Sequence, residues 1–596
     1  DCHGAALVRR DGSVDWLCLP RFDAPAQLAG LLDAEGGHFR VGPVGDARIE
    51  RRYLPSSLVL ETRFRTDDGE AVLRDALATG ADEHDHDLGR GSPHTLVREL
   101  RCTSGEIEIA VDYAPRPEYG LIRPLLCRVD GGLLARGGAS VLRLSTEMPL
   151  EIDGSSARGR QRLRSGERIG LALQHHSASQ GAPEPWSQEA ISERLDATLS
   201  AWQSWSELHQ AYNGPWAELV RHSGRVLQGL TYQPTSAVIA APTTSLPEGI
   251  GTERTWDYRY TWVRDASMTL DALWVAACPD EAHWFFDFLA TTALSQMREG
   301  GDLQVVFGIE GEHDLSERTL PHLRGWRDSR PVRVGNAAWN QRQLDVYGEL
   351  LTAAYRLRDQ LDRLSSESRA FLADAVDAAA ERWRERDHGI WEMRTPPQDY
   401  LYSKLMCWAA LDRGIRLAER LGAEERVEGW CTERDAIRDA IEQHGWNDEV
   451  GAFTQAFDSD ALDASALMLP IVGFLPADDP RMLATMDAID RDLTDERGFV
   501  YRYRNDDGLD GDEGTFIICT FWLAQARAMA GQLDAARELF ERAAGCANDV
   551  GLLSEQIDTA NGEPCGNFPQ AFSHIGLVNA AYAIEQAEQR AGGNAP

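Results

Sequence analysis

Ser187-Gln188-Glu189-Ala190-Ile191-Ser192-Glu193-Arg194-Leu195-Asp196-Ala197-Thr198-Leu199-Ser200-Ala201-Trp202-Gln203-Ser204-Trp205-Ser206-Glu207-Leu208-His209 divides the chain into two halves of different character. Its apolar residues, Ile191, Leu195, Leu199, Trp202, Trp205 and Leu208, recur every three or four positions, the spacing of one face of an α-helix. Upstream the pattern is different. Segments such as Leu58-Val59-Leu60-Glu61-Thr62-Arg63-Phe64 and Ile107-Glu108-Ile109-Ala110-Val111-Asp112-Tyr113 alternate apolar with polar, and turns such as Asp68-Gly69, Gly131-Gly132 and Ser165-Gly166 interrupt them. Short, regularly spaced strands predict an antiparallel sandwich rather than βαβ units. Downstream of Pro242 helical spacing dominates, with helices expected over 264–278, 336–359, 364–384, 401–421, 426–443, 514–530, 533–547 and 574–592. Many antiparallel helix pairs in so short a span form either a solenoid or a closed α/α toroid, and the lack of a fixed-period repeat favours the toroid. The expected organisation is multi-domain: an N-terminal antiparallel β-sandwich (1–190), a helical linker (191–241) and an all-α barrel (242–596).

The 596 residues are 43% hydrophobic, enough for sizeable cores. A formal net charge of -35 repels phosphate backbones and anionic membrane surfaces, so neither nucleic acid nor membrane is an expected partner, and a small neutral substrate fits best. No stretch approaches the ~20 apolar residues of a membrane span. The ten cysteines are scattered singly, without a C-x-x-C, and no secretory signal is visible; reduced thiols and a cytoplasmic location are expected. The chain opens on Asp1 rather than Met, so residues ahead of it are expected. The sequence sets no oligomeric state.

Two stretches carry the chemistry. One is Trp256-Asp257-Tyr258-Arg259-Tyr260-Thr261-Trp262-Val263-Arg264-Asp265. The other is Leu553-Ser554-Glu555-Gln556 with Asn567-Phe568-Pro569-Gln570-Ala571-Phe572-Ser573-His574. Aromatic faces suit the C–H side of a pyranose ring, and charged forks suit its hydroxyls. Arg264-Asp265 beside Trp262 and Tyr258 would be costly to bury without a polar partner, which sugar hydroxyls or an ion pair within or between helices could supply. Glu392, next to Trp391, is a candidate general acid: apolar neighbours would disfavour its carboxylate form. The bland alternative is a core tryptophan beside a solvated charge. Glu555, between an apolar run and a polar turn, is a candidate general base if polar neighbours keep it ionised, or else a helix cap. Two carboxyls on opposite sides of a glycosidic bond suffice for hydrolysis. Trp339 reads as a stacking platform or a core residue. Asp82-Glu83-His84-Asp85-His86-Asp87 reads as a solvated loop rather than a metal site. A Walker loop, H-E-x-x-H, G-x-S-x-G and a dinucleotide fingerprint are all missing from the sequence.

Over nearly its whole length the chain resembles glycoside hydrolase family 15, the glucoamylase, glucodextranase and bacterial trehalase family. Asp1-Cys2-His3-Gly4-Ala5-Ala6-Leu7-Val8 and Asp11-Gly12-Ser13-Val14-Asp15-Trp16-Leu17-Cys18-Leu19-Pro20-Arg21-Phe22-Asp23 look like the opening of bacterial members. The resemblance implies a β-sandwich followed by an (α/α)6 barrel and inverting exo-hydrolysis that releases β-glucose. It also implies roles. Glu392, in Ile390-Trp391-Glu392, matches the general acid, and Glu555, in Ser554-Glu555-Gln556, the general base. Arg264 and Asp265 match the pair that binds the terminal glucose, with Tyr258, Trp262 and Trp391 shaping the pocket. Trp339 resembles a pocket tryptophan, Arg502 one of an Arg-Tyr pair reaching the sugar, and Glu513, after Gly511-Asp512, a residue near the pocket. Fungal members carry a second carboxylate after the acid, which helps hold the next sugar; here that position is Met393.

The reading that follows is an inverting exo-acting hydrolase of small α-glucosides, malto- or isomalto-oligosaccharides, needing no cofactor. A trehalase of the same fold and mechanism is the alternative. Readings from other classes are a phosphorylase or lyase on an α/α barrel and a catalytically inactive sugar-binding protein.

Overall fold

Thr95–Ala114 is a single strand of 20 residues that serves two sheets of the computed structural model. Its first half pairs with Gly69–Leu77 and Arg168–Ser177, and its second half with His38–Pro43 and Ser156–Arg164, all antiparallel. The exchange of partners falls at Gly105, whose φ of 66° and approach to the Asp68 carbonyl leave no room for a side chain. Val14, Leu17, Phe39 and Val41 of one sheet pack against Phe64, Leu73, Leu100 and Leu171 of the other, forming the buried centre of a sandwich. The structure describes residues 1–208, 212–277, 279–297, 302–505, 507–509, 511 and 513–592. His209, Cys278 and Asp512, named above, lie outside them.

Helix α1 (Gln188–Leu208) joins the two halves physically. Ile191 and Leu195 pack with Val59, Ala78, Val97 and Ala172 of the sandwich, whereas Trp202 and Trp205, further along the same face, enter the helical core. The chain continues through α2 (Ala217–Gly229), α3 (Ala266–Ala276), α4 (Pro279–Met297), α5 (Asp345–Arg356), α6 (Ser366–Arg382), α7 (Leu401–Leu421), α8 (Val427–Ala440), the single turn α9 (Met468–Ile471), α10 (Pro480–Asp492), α11 (Ile517–Met529), α12 (Leu533–Ala544) and α13 (Ala571–Ala591). Neighbour packing runs α3–α5–α7, then through the 3-10 turn Ala464–Leu467 and α9 to α11, α13 and back to α3. The even-numbered helices lie against this ring from outside, so the described residues build an (α/α)6 barrel.

Helix ends follow local chemistry. Gly422 terminates α7 in the left-handed region (φ 66°), and Asp479 caps α10, where Pro480 takes the first position. Two expectations need correction. The helix read over 336–359 is broken: Asn336 accepts from the Ala338 N–H and starts a 3-10 turn, Gln341 is extended, and α5 begins only at Asp345. Helices α4, α9 and α10 lie outside the expected set, whereas α2 falls within the stretch read as a helical linker. α4 carries Trp284, Phe285, Phe286, Phe288 and Leu289 nearly all round its surface, which erases the amphipathic stripe. Because α2 packs against α3 and α13 as an outer-ring helix, we propose that the helical unit starts at 217 rather than at 242.

Candidate active site

The segments that lead into the inner helices meet at one end of the ring. Trp256–Asp265 precedes α3, Ile390–Arg394 precedes α7, Arg502–Phe516 precedes α11, and Glu555 and Gln570 precede α13. They line one shared concavity that holds Trp256, Tyr258, Trp262, Arg264, Glu392 and Glu555.

The aromatic stretch divides its work by alternation. Trp256, Tyr258, Trp262 and Arg264 line the pocket. Asp257 and Arg259, between them, point away: Arg259 holds Asp257 through 2.8 and 2.7 Å bonds, and its other nitrogen donates to the Ala24 carbonyl of the sandwich at 3.1 Å. Extended backbone puts neighbouring side chains on opposite sides, so one strand-like run both builds the pocket and locks the two domains together.

Arg264 organises the inner end. Its Nε donates to Asp265 at 3.0 Å, and one terminal nitrogen donates to the Ile390 carbonyl at 2.7 Å and to Glu392 Oε1 at 3.0 Å. Burial pushes the Asp265 carboxyl up to about 6 against the pull of Arg264. The Trp262 indole also donates to Glu392 Oε1, at 2.7 Å. Both bonds fall on Oε1, leaving Oε2 for a ligand. Glu392 sits at φ 58°, a left-handed conformation that costs a non-glycine residue about 1 kcal/mol or more. Its neighbours hold it there: Trp391 and Met393 are buried, and the Trp391 indole donates to both oxygens of Asp463 at 3.0 Å. The apolar surroundings expected for Glu392 are therefore not what it meets; an indole N–H and a guanidinium bond it directly.

Glu555 is the opposite case. It is 1% exposed, and neither oxygen has a hydrogen-bond partner among the described residues. Burial, reinforced by the nearby negative charge of Glu248, pushes its carboxyl up to about 8, although the Tyr258 hydroxyl and Arg502 pull the other way. The expectation of polar neighbours keeping it ionised is thus reversed: burial outweighs them. Tyr258 stands among Glu555, Glu248 and Glu392, and with burial their charge keeps its phenol protonated. Both candidate catalytic carboxyls line the same pocket as this ring.

Glu248 has no local signature in the sequence. It is 2% exposed, accepts from the Trp256 indole at 3.1 Å and from Arg502 at 3.2 Å, and is pushed up to about 7, chiefly by burial. Arg502 also pairs with Glu513 and lies 5.4 Å from the Trp391 ring centre and 4.9 Å from that of Phe516. Glu513 does not line the pocket; it stands behind Arg502 and fixes it. Arg254, also unforeseen, forms a two-pronged pair with Asp507 at 2.6 and 2.8 Å. Trp339 is not brought to this pocket. It borders a separate open hollow with Gln304, Arg342 and His388. The acidic loop at 82–87 is less solvated than expected, since Glu83 is buried and accepts the Gly89 and Gly91 N–H groups.

Two like carboxyls with raised pKa values share protons as a pair. At neutral pH the shared proton rests mainly on Glu555, whose value is the higher of the two, and Glu555 becomes a base as that proton leaves. Glu248→Gln removes the repelling charge, so Glu555 should ionise at lower pH. The acid limb of the kcat/KM profile is expected to move down by about one pH unit; an unmoved limb would show that the two groups do not communicate.

Comparison with known proteins agrees with this architecture. A family profile described as Glycosyl hydrolases family 15 matches residues 216–582, and one described as Trehalase-like, N-terminal matches residues 2–159. A protein named trehalase from Mycolicibacterium smegmatis is 40% identical over 613 residues, covering 99% of this chain and 91% of that one. A trehalase from Thermoplasma acidophilum is 35% identical, covering 98% of each. The crystal structure of a bacterial glucoamylase complexed with acarbose superposes with a TM-score of 0.74 over 98% of this chain and 93% of that chain, at 15% identity, which shows a shared fold. Among the described residues no helix is long and apolar enough to cross a membrane.

Proposed function

The chain belongs to glycosyl hydrolases family 15 and is a glycoside hydrolase, and within that family we propose that it is a trehalase, cleaving trehalose to two glucoses with inversion at one anomeric carbon. The observation that carries this reading is the likeness to proteins named trehalase, which extends over 99% of the chain and includes a trehalase-like N-terminal part. It favours trehalose over the malto- and isomalto-oligosaccharides expected first, because the glucoamylase likeness is one of fold. Met393, standing where fungal members carry a second carboxylate, fits the same preference.

In this reading Arg264 and Asp265 grip the hydroxyls of the inner glucose. Glu392 Oε2 carries a proton and delivers it to the glycosidic oxygen as the C1–O bond breaks. A water enclosed beside Glu555 attacks C1 from the opposite face, and its proton passes to a Glu555 oxygen. Those two oxygens have no protein partner to displace. Their raised pKa makes Glu555 the stronger base once ionised. Tyr258 stands beside Glu555, and Arg502, held by Glu248 and Glu513, stiffens the wall with Trp391. Water rather than phosphate is the acceptor, in keeping with three of the four pocket arginines being held by carboxylates: Arg254 by Asp507, Arg264 by Asp265 and Glu392, Arg502 by Glu513 and Glu248.

The test is a panel of trehalose, maltose, isomaltose and maltodextrin at equal concentration. Trehalose is expected to show a kcat/KM at least about tenfold above the others, a difference of about 1.4 kcal/mol in transition-state binding. Equal or better cleavage of maltose would reject the trehalase reading and leave the hydrolase standing.

A further inference from the structure

Among the described residues, Arg394 is the arginine lining the pocket that has no carboxylate against it. Its side chain is exposed at the mouth, two residues beyond Glu392, and among the described residues its guanidinium meets the Trp256 ring, 4.8 Å from the centre, and no acid. Trp256 is itself held, through its indole bond to Glu248 and a second guanidinium, that of Arg333, also 4.8 Å from its centre. A half-buried indole carrying an unpaired guanidinium offers what a sugar ring needs: an apolar face for its C–H side and a planar fork of N–H donors for adjacent hydroxyls.

Position says which sugar. Arg264 and Asp265 occupy the inner end, and Glu392 bonds Arg264 directly, so the bond to be cut lies at Glu392. The group that departs lies on the outward side of Glu392, where Arg394 and Trp256 stand. Met393, between them in sequence, is 2% exposed, and its thioether offers that group no charged hydrogen-bonding fork. We propose that Arg394, carried on Trp256, binds the hydroxyls of the leaving glucose and sets the preference for a disaccharide at this end of the pocket. This rests on the trehalase reading for the identity of the sugar.

The experiment compares two substrates on the same preparations of wild type, Arg394→Met and Arg394→Lys. Trehalose has a leaving glucose; α-glucosyl fluoride has none. The quantity read is kcat/KM for trehalose divided by kcat/KM for the fluoride. A guanidinium hydrogen-bonded to hydroxyls contributes about 1.5–3 kcal/mol, so the ratio is expected to fall about 10- to 100-fold in Arg394→Met, with a smaller fall in Arg394→Lys, which keeps the charge but loses the fork. A folding defect lowers both activities and cancels in the ratio. A ratio within about threefold of wild type in Arg394→Met overturns the proposal. If wild type instead prefers maltose, the trehalase reading fails while the same ratio, taken with maltose, still decides the role of Arg394.

Discussion

Glu392→Gln is expected to reduce turnover of trehalose by about 10³-fold, the usual worth of a positioned general acid, while α-glucosyl fluoride keeps most of its rate. Fluoride leaves without protonation, so it needs the grip on glucose and the attacking water but not the acid. The amide keeps an oxygen to accept from Trp262 and Arg264, the bonds that now fall on Oε1, so substrate binding should change little. Equal losses on both substrates would remove Glu392 from the acid role, because they would point to damage in the inner subsite or to the water-activating step.

Glu555→Gln should give the complementary result: a loss of about 10³-fold on trehalose and fluoride alike, since both need the activated water. Azide, a nucleophile that requires no base, should restore cleavage of the fluoride and yield β-glucosyl azide. Rescue absent here but present in Glu392→Gln would exchange the two roles. The substitution should also change stability in a pH-dependent way. Folded Glu555 keeps its proton up to about 8, against an ordinary value of 4.5. A raised carboxyl contributes stability that is complete below 4.5 and is lost as pH rises through 8. Gln has no charge to bury. The variant should therefore match wild type near pH 4 and unfold about 2 °C higher at pH 8.5. A gap that narrowed with rising pH would contradict the raised value. A buried, unpaired carboxyl that destabilises the resting protein at working pH is the kind of strain that catalytic sites retain.

The sequence made parts of this legible for identifiable reasons. Helix α7 could be read to its ends because its apolar face is periodic and Gly422 supplies the stop signal. The pocket face of Trp256–Asp265 was legible because aromatic rings and charges crowd into ten neighbouring residues. Glu248 and Arg254 were not, since each is a lone charge in a loop, and they acquire meaning only when Arg502 and Asp507 come against them. The nearest signal was Leu246-Pro247-Glu248-Gly249, a turn just ahead of the aromatic stretch. Environment was harder to foresee than identity. Trp391 adjoins Glu392 in sequence, yet its indole turns to Asp463, and Trp262, 130 residues away, supplies the contact that matters. Trp339 follows the same logic, since the break at Gln341 carries it toward a different hollow.

Stereochemistry tests the pairing of Glu392 with Glu555 most directly. Proton NMR of trehalose during the first turnovers, before the anomers equilibrate, should show one β-glucose for every α-glucose: water inverts one anomeric carbon, and the departing sugar keeps its own. Release of α-glucose alone would mean retention through a covalent intermediate, and glucose 1-phosphate formed in phosphate buffer would mean that water is not the acceptor; either would contradict two carboxyls acting across one glucose on a single enclosed water.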